Sequence, residues 1–150
     1  MEPLFMKPVF QEKIWGGSRL HSVFGFDLPS DKIGEDWAIS AHPHGVSVIE
    51  NGPFKGKTLA DLWQDHQELF GHSDEPVFPL LIKILDAEDD LSVQVHPDDT
   101  YGLAHEGELG KTECWYCTGF IRSGRTDCIC WGITRQPSRD PCGGSRSRGK

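Results

Sequence analysis

The chain has 150 residues, of which 37% are hydrophobic and 10% aromatic, and its formal net charge is −8. This length and composition predict one globular domain with a single core and exclude a largely disordered chain. No apolar run approaches the ~20 residues that a membrane-spanning helix needs. The N-terminus has Glu2 and no continuous apolar core, so it does not resemble a signal peptide. We therefore expect a cytoplasmic protein that does not bind membranes.

Charge is distributed unevenly along the chain. Only Asp127 and Asp140 of the 23 acidic residues lie after Tyr116, whereas 7 of the 15 Lys and Arg residues do. Residues 1–116 therefore carry a net charge of −13 and residues 117–150 a net charge of +5. The acidic part argues against nucleic acid as a partner of the domain, since nucleic-acid binding is mostly cationic contact with phosphate. A nucleic-acid-binding tail is an alternative that rests on the charge of the tail alone.

The N-terminal part of the chain combines irregular and strand-like segments. Residues 4–30 contain two prolines and the turn Trp15-Gly16-Gly17, a pattern that predicts irregular structure. Residues 36–48 are strand-like but are interrupted by His42-Pro43-His44-Gly45. The two histidines are an alternative pair of metal ligands, although a proline between them favours a turn with a structural role.

One helix and one buried strand follow. Thr58 is a good N-cap, and Leu59, Leu62 and Trp63 form an apolar face at helical spacing. Gly71 is expected to end this helix. Residues 78–85 form a nearly continuous apolar run, which predicts a buried strand. Short strands separated by Gly, Pro and Asn favour an all-β barrel or jelly roll with a helical insert.

Residues 91–96, here called the 91–96 segment, carry part of the candidate site. Three aliphatic residues alternate with three polar ones, which is the pattern of a half-buried strand. Successive side chains of a strand point to opposite faces, so Gln94 and His96 share the polar face. Pro97-Asp98-Asp99 predicts a turn that closes the strand.

Residues 111–116 predict a second strand, on which Lys111, Glu113 and Trp115 share one face. An imidazole, an amide oxygen and a carboxylate on neighbouring strands can form a divalent-metal site. From the pattern alone, Gln94 and His96 are also compatible with a solvated or hydrogen-bonded pair without a metal.

Five motifs resemble, in order, those of the type I mannose-6-phosphate isomerases of the cupin superfamily, in their short bacterial form. They are KIWGG from Lys13, GEDWAIS from Gly34, PLLIKILDA from Pro79, QVHPDD from Gln94 and GKTECWY from Gly110. The similarity covers residues 4–116. It implies that residues 1–116 are the N-terminal part of a catalytic cupin domain. The fold class expected is mainly β, an incomplete cupin-like jelly-roll barrel with a short helical insert.

The resemblance also implies a zinc site. Gln94, His96 and Glu113 match three of the four zinc ligands of the family. The fourth, a later histidine, has no match because no histidine follows His105. The arginine that the family contributes to the sugar-phosphate site also has no match here.

The reaction implied is the interconversion of mannose 6-phosphate and fructose 6-phosphate, with a small sugar phosphate as the partner. A proton moves between C1 and C2 through a cis-enediol, which requires a general base and stabilisation of an anionic oxygen. Lys111 is the catalytic candidate, and Trp37 and Ser40 are candidates for lining the sugar pocket. The sequence does not identify the base. The alternative function is a non-catalytic cupin-like module that binds sugar phosphates or another partner.

Residues 117–150 have no sustained hydrophobic period and are rich in Arg, Gly, Ser and Cys. They predict a disordered basic tail unrelated to residues 1–116. Permitted codons from Cys117 onward, read one nucleotide later, can spell VLDSSDPEGQTVYVG, which resembles the continuation of the family after KTECWY. We therefore expect the tail to be a frameshifted translation. Its cysteines lack the spacing of a zinc knuckle and do not predict a disulfide framework.

Overall fold

The structure is a computed structural model that describes residues 2–117, 121–122, 125–126 and 129–135. The strands are β1 (Phe10–Gly17), β2 (Ile33–Ser40), β3 (Leu80–Asp86), β4 (Thr112–Cys117), β5 (Ile121–Arg122), β6 (Arg125–Thr126) and β7 (Ile129–Arg135). The α-helices are α1 (Arg19–Ser22), α2 (Leu59–Asp65) and α3 (Asp99–His105), and 3-10 turns cover Gly52–Phe54 and Gln67–Phe70. Within these described ranges, no helix has the length and apolar character that crossing a membrane requires.

Five strands form one antiparallel sheet in the order β1-β2-β3-β7-β4, and β5 pairs with β6 alone. The strand β7 therefore lies between β3 and β4. The mainly β class is confirmed, and the described strands form an open sheet that does not close into a barrel. β2 and β3 are central strands with neighbours on both sides, and they carry five of the ten buried hydrophobic residues of the described core.

The core lies on the face of the sheet that α1 covers. Leu20 of α1 packs between Ile33 of β2 and Ile84 of β3, and all three are 5% exposed or less. The fully buried Asp86 at the end of β3 holds α1 in place. Its Oδ2 accepts a 2.5 Å hydrogen bond from the Arg19 N–H, and its Oδ1 lies 3.4 Å from Arg19 Nε. This pair ties the start of α1 to the end of β3.

The helix α2 begins at the predicted residue. Thr58 Oγ1 accepts a 3.1 Å hydrogen bond from the Asp61 N–H, and the Asp61 carboxylate accepts one from the Thr58 N–H at 3.0 Å. This reciprocal pair is a capping box. The predicted apolar face is buried, with Trp63 only 5% exposed. The α-helix ends earlier than expected, because a 3-10 turn intervenes before Gly71 adopts the left-handed conformation at φ 72°.

The prediction of a strand over the 91–96 segment is wrong. The segment has no regular secondary structure and belongs to none of the described strand pairs, and Val93 and Val95 are 98% and 91% exposed. Without a paired strand a segment has no ladder hydrogen bonds and no cross-strand neighbour on which to bury its aliphatic face. The predicted turn at Pro97 is instead the start of α3. Asp98 caps this helix by accepting a 2.9 Å hydrogen bond from the Tyr101 N–H.

The tail is described only in part. β5, β6 and β7 lie in it, where the sequence analysis expected no regular structure. The segment ICWGITR of β7 is rich in β-branched and aromatic residues, which favour strands. The other residues of 118–150, and with them the rest of that prediction, lie outside the described residues. The frameshift and the domain boundary at Tyr116 stay predictions.

Candidate active site

A cavity of about 280 Å³ lies between β3, β4 and the 91–96 segment. The polar side chains that line it include Glu35 and Lys83 as well as four residues singled out from the sequence, Gln94, His96, Lys111 and Glu113. Trp15, Leu85, Leu91 and Trp115 form the apolar part of its wall. The cavity therefore combines two lysines, two glutamates, an imidazole and an amide between apolar walls.

Glu113 of β4 is the centre of the polar contacts. Its Oε1 lies 2.5 Å from Lys111 Nζ, and its Oε2 lies 3.2 Å from His96 Nε2. The Trp115 Nε1–H donates a 3.1 Å hydrogen bond to the same Oε2. Alternate residues of β4 share a face, which is why Lys111, Glu113 and Trp115 meet as predicted.

These contacts set the charge of Glu113. Burial opposes its ionisation, but hydrogen bonds from Lys111 and Trp115 and the charges of Lys111 and His96 together hold the pKa of Glu113 below its usual range. The carboxylate is therefore ionised at neutral pH and available to a cation.

The fit of a zinc ion can be tested on the predicted ligands. Two ligands of one tetrahedral zinc, each about 2.0–2.2 Å from the ion, lie about 3.4 Å from each other. The 3.2 Å between His96 Nε2 and Glu113 Oε2 matches this separation. Gln94 lines the same cavity but is exposed, and its Nε2 donates to Ser92 Oγ at 3.2 Å. The separation of His96 and Glu113 is therefore compatible with a shared ion in place of their direct contact, and Gln94 would have to rotate its side chain to join them.

Lys83 is a candidate that the sequence analysis missed. Its Nζ lies 3.2 Å from Glu35 Oε2 and 4.9 Å from the centre of the Trp37 ring. Burial lowers the pKa of Lys83 below its ordinary value, the nearby lysines act in the same direction, and Glu35 partly offsets them. A charged residue inside the apolar run of residues 79–85 was the available signal, because an unpaired lysine is almost never fully buried.

Trp37 and Ser40 lie outside the described lining of the cavity. Trp37 is 9% exposed, and its Nε1–H donates a 2.7 Å hydrogen bond to Glu35 Oε2. Ser40 is fully buried, and its Oγ accepts from the His42 N–H at 3.1 Å. Trp37 therefore contacts the cavity through Glu35 and Lys83, whereas Ser40 supports the turn that follows β2.

A second group of ligating side chains lies outside this cavity. His42, His44 and Glu108 each offer one donor atom, and these three atoms lie within 4.8 Å of one another. His42 and His44 are the alternative metal pair of the sequence analysis, and Glu108 was not anticipated. Burial lowers the pKa of His42, an effect that Glu108 opposes and that His44 and Lys83 reinforce.

Comparison with known proteins relates this arrangement to a family. A model of the phosphomannose isomerase type I catalytic domain matches residues 4–118. A mannose-6-phosphate isomerase from Streptococcus mutans is 64% identical over 115 residues, which cover 77% of this chain and 36% of that protein. A probable mannose-6-phosphate isomerase from Bacillus subtilis is 62% identical over 115 residues, which cover 76% of this chain and 36% of that protein. The chain spans about a third of the length of these relatives.

Solved structures give the same result for the fold. The crystal structure of a mannose 6-phosphate isomerase from Bacillus subtilis matches with a TM-score of 0.80 and 39% identity, covering 92% of this chain and 59% of that one. A crystal structure of mannose 6-phosphate isomerase bound with zinc and yttrium matches with a TM-score of 0.54 and 26% identity. That match covers 69% of this chain and 28% of the other. The predicted relation to cupin-fold isomerases is thereby confirmed.

Proposed function

Because the chain belongs to the type I phosphomannose isomerase family, we propose that its cavity is part of a site that interconverts mannose 6-phosphate and fructose 6-phosphate. The observation that carries this proposal is the grouping of Lys83, Lys111, His96 and Glu113 around one cavity. An aldose–ketose isomerisation requires a general base and a group that stabilises an anionic oxygen, and the two lysines of this cavity can supply these two roles. The location we propose for this chemistry is the cytoplasm.

Lys83 is proposed as the general base. The reaction moves a proton between C1 and C2 through a cis-enediol, so a base must take up a proton next to a carbonyl group. Burial lowers the pKa of Lys83 and increases the fraction of neutral amine that can accept this proton. The Lys83 Nζ lies 3.2 Å from Glu35 Oε2 and 4.9 Å from the centre of the Trp37 ring. These two contacts fix its position at the cavity wall.

Lys111 is proposed to bind negative charge. Its Nζ lies on the same face of the sheet as Glu113 and borders the cavity. An ammonium group there stabilises an enediolate oxygen or the phosphate of the substrate. Trp15 and Trp115 line the apolar wall and exclude water from the sugar ring.

Gln94, His96 and Glu113 are the residues proposed to hold a zinc ion. A bound zinc supplies Lewis acidity and orients the sugar oxygens. To hold the ion, the Gln94 amide would give up its contact with Ser92, and Glu113 would serve as a ligand while remaining close to Lys111. The spacing of His96 and Glu113 supports this assignment, and so does the zinc bound in the crystal structure of a related mannose 6-phosphate isomerase.

The proposal is tested by the Lys83→Arg variant with zinc present. Arginine keeps the positive charge beside Glu35 but does not lose its proton at working pH, so it cannot act as a base. Turnover should fall about 10²–10⁴-fold, the range that general acid–base catalysis contributes. Lys55→Arg, at an exposed position, is the matched control and should leave turnover unchanged. Equal turnover in Lys83→Arg and in the unmodified chain would remove Lys83 as the base.

One observation favours the second candidate, a module that binds sugar phosphates without turnover. The 91–96 segment, which carries Gln94 and His96, is outside the sheet and its valines are exposed. A site that depends on this segment is less rigidly held than one built on strands alone. Saturable binding of fructose 6-phosphate together with the absence of turnover in the unmodified chain would establish the module and contradict the enzyme.

A further inference from the structure

The turn after β2 and the loop after α3 bring a second set of ligating side chains together. We propose that His42, His44 and Glu108 bind a divalent transition-metal ion of the zinc type, at a site separate from the cavity of Glu113. This inference does not rest on the proposed isomerase activity, because it uses other residues and is tested by metal binding alone.

The geometry is close to that of a metal site. The three donor atoms lie within 4.8 Å of one another, and ligands of one zinc are about 3.4 Å apart. Closing the remaining gap of about 1.4 Å requires only side-chain rotation, because His44 and Glu108 are exposed. Two imidazoles and one carboxylate are a donor set suited to zinc, with the remaining position taken by water.

The histidine pair is held by a defined turn. The Gly45 N–H donates to the His42 carbonyl oxygen at 2.9 Å, and Pro43 fixes the second residue of this turn. The His42 N–H donates to the buried Ser40 Oγ at 3.1 Å, and the His42 ring packs edge-on against Trp37 at 5.4 Å. Half of the site is therefore anchored to the end of β2 before any ion binds.

Two local interactions disfavour binding of an ion by His42. The His44 N–H donates to His42 Nδ1 at 3.2 Å. This long hydrogen bond is lost when His42 binds metal through either nitrogen, since an ion at Nε2 places the ring proton on Nδ1. The charge of Lys83 also acts on His42, and the carboxylate of Glu108 offsets it. Binding thus exchanges one long hydrogen bond for two metal–nitrogen bonds and one metal–oxygen bond.

The position of Glu108 gives the ion a structural consequence. Glu108 precedes Lys111 by three residues. Between them, the Gly110 N–H donates a 2.8 Å hydrogen bond to the Asp99 carboxylate. An ion at the site joins the β2 turn to the loop that leads into Lys111. It therefore fixes the chain at the entrance to β4.

The test is a zinc titration of the whole chain, followed by calorimetry and by metal analysis after gel filtration. To separate the two sites, the titration uses His96→Ala as the background, because alanine removes the imidazole from the cavity site and offers no replacement ligand. One zinc should still bind. In that background, His44→Gln or Glu108→Gln should weaken this zinc at least about tenfold, since even changes behind a ligand cost 10–100-fold.

Two matched controls lie within three residues of Glu108 along the chain. His105→Gln and Glu106→Gln change an exposed histidine and an exposed glutamate nearby and should leave zinc affinity unchanged. Cobalt(II) binding gives a second readout, because its visible absorption bands should be lost in Glu108→Gln and kept in Glu106→Gln. Equal zinc affinity in Glu108→Gln and Glu106→Gln, or an equal loss in His44→Gln and His105→Gln, would overturn the proposal. A failure of the isomerase proposal leaves these results unchanged.

Discussion

The strand β3 and the 91–96 segment line the same cavity, yet they are held in opposite ways. Leu81, Ile84 and Leu85 of β3 are 8% exposed or less, whereas Val93 and Val95 are more than 90% exposed. β3 has β2 on one side and β7 on the other, and the 91–96 segment pairs with none of the described strands. An alternating sequence pattern thus predicts which face of a segment is apolar. Whether that face is buried depends on a neighbouring strand.

The largest expected loss of stability distinguishes a substitution in β3 from one in the 91–96 segment. Ile84→Ala should destabilise the chain by about 2–5 kcal/mol, because it opens a cavity between Leu20 and Ile33. Val93→Ala should change stability by less than about 0.5 kcal/mol, since its side chain touches mainly solvent. Urea unfolding of both variants measures the contrast. A loss for Val93→Ala close to that for Ile84→Ala would show that the segment is buried in solution.

The next effect is the pH dependence of stability, to which Asp36 and Glu113 contribute through pKa shifts in opposite directions. Burial raises the pKa of Asp36 in β2 to about 6, and the 3.2 Å hydrogen bond from the Val9 N–H only partly offsets it. The folded state therefore holds this proton more tightly than the unfolded state. The resulting stability is complete below about pH 4 and is lost as the pH rises through about 6, by up to about 3 kcal/mol.

Glu113 should behave in the opposite sense. Its pKa is lowered, so its contribution is present above the ordinary glutamate range and is lost as the pH falls through the folded value. Thermal unfolding from pH 3 to 8 measures both slopes. Asp36→Asn should remove the loss of stability between about pH 4 and 6, and Glu113→Gln should leave that loss intact. An unaltered slope in Asp36→Asn would contradict the assignment to this residue.

A smaller loss of stability is expected when the N-cap residue of α2 or of α3 is removed. Thr58→Ala at α2 and Asp98→Ala at α3 each remove a side chain that accepts a hydrogen bond from the first turn. Each should cost about 1 kcal/mol if both helices are parts of the same cooperative structure. Thr58→Ser keeps the hydroxyl and serves as the control. Equilibrium unfolding in which Asp98→Ala has no effect would show that α3 unfolds independently of the sheet.

Local signals predicted much of the fold. The N-cap residue Thr58 and the spacing of Leu59, Leu62 and Trp63 predicted α2, because a helix is specified by residues within a few positions of one another. The apolar run of β3 and the turn after β2 were recognised for the same reason. Pairing is non-local, so the pattern of the 91–96 segment could not show that its neighbour is missing from the described sheet.

The candidate site was predicted in part for similar reasons. Lys111, Glu113 and Trp115 share a strand face, so the strand period alone brings them together. Lys83 and Glu35 come from two other strands and meet only through the register of β2 with β3. Glu108 reaches His42 and His44 through the loop after α3, a helix that the sequence analysis did not predict.

The central claim, that the cavity is a sugar-phosphate site, is tested most directly by titrating the zinc-loaded chain with fructose 6-phosphate while recording tryptophan fluorescence. Trp15 and Trp115 line the cavity, so binding should change the emission in a saturable manner. The change should be abolished in Lys111→Met and retained in Lys55→Met. Saturable binding of equal affinity in Lys111→Met and in the unmodified chain, or no change in the unmodified chain, would contradict the account.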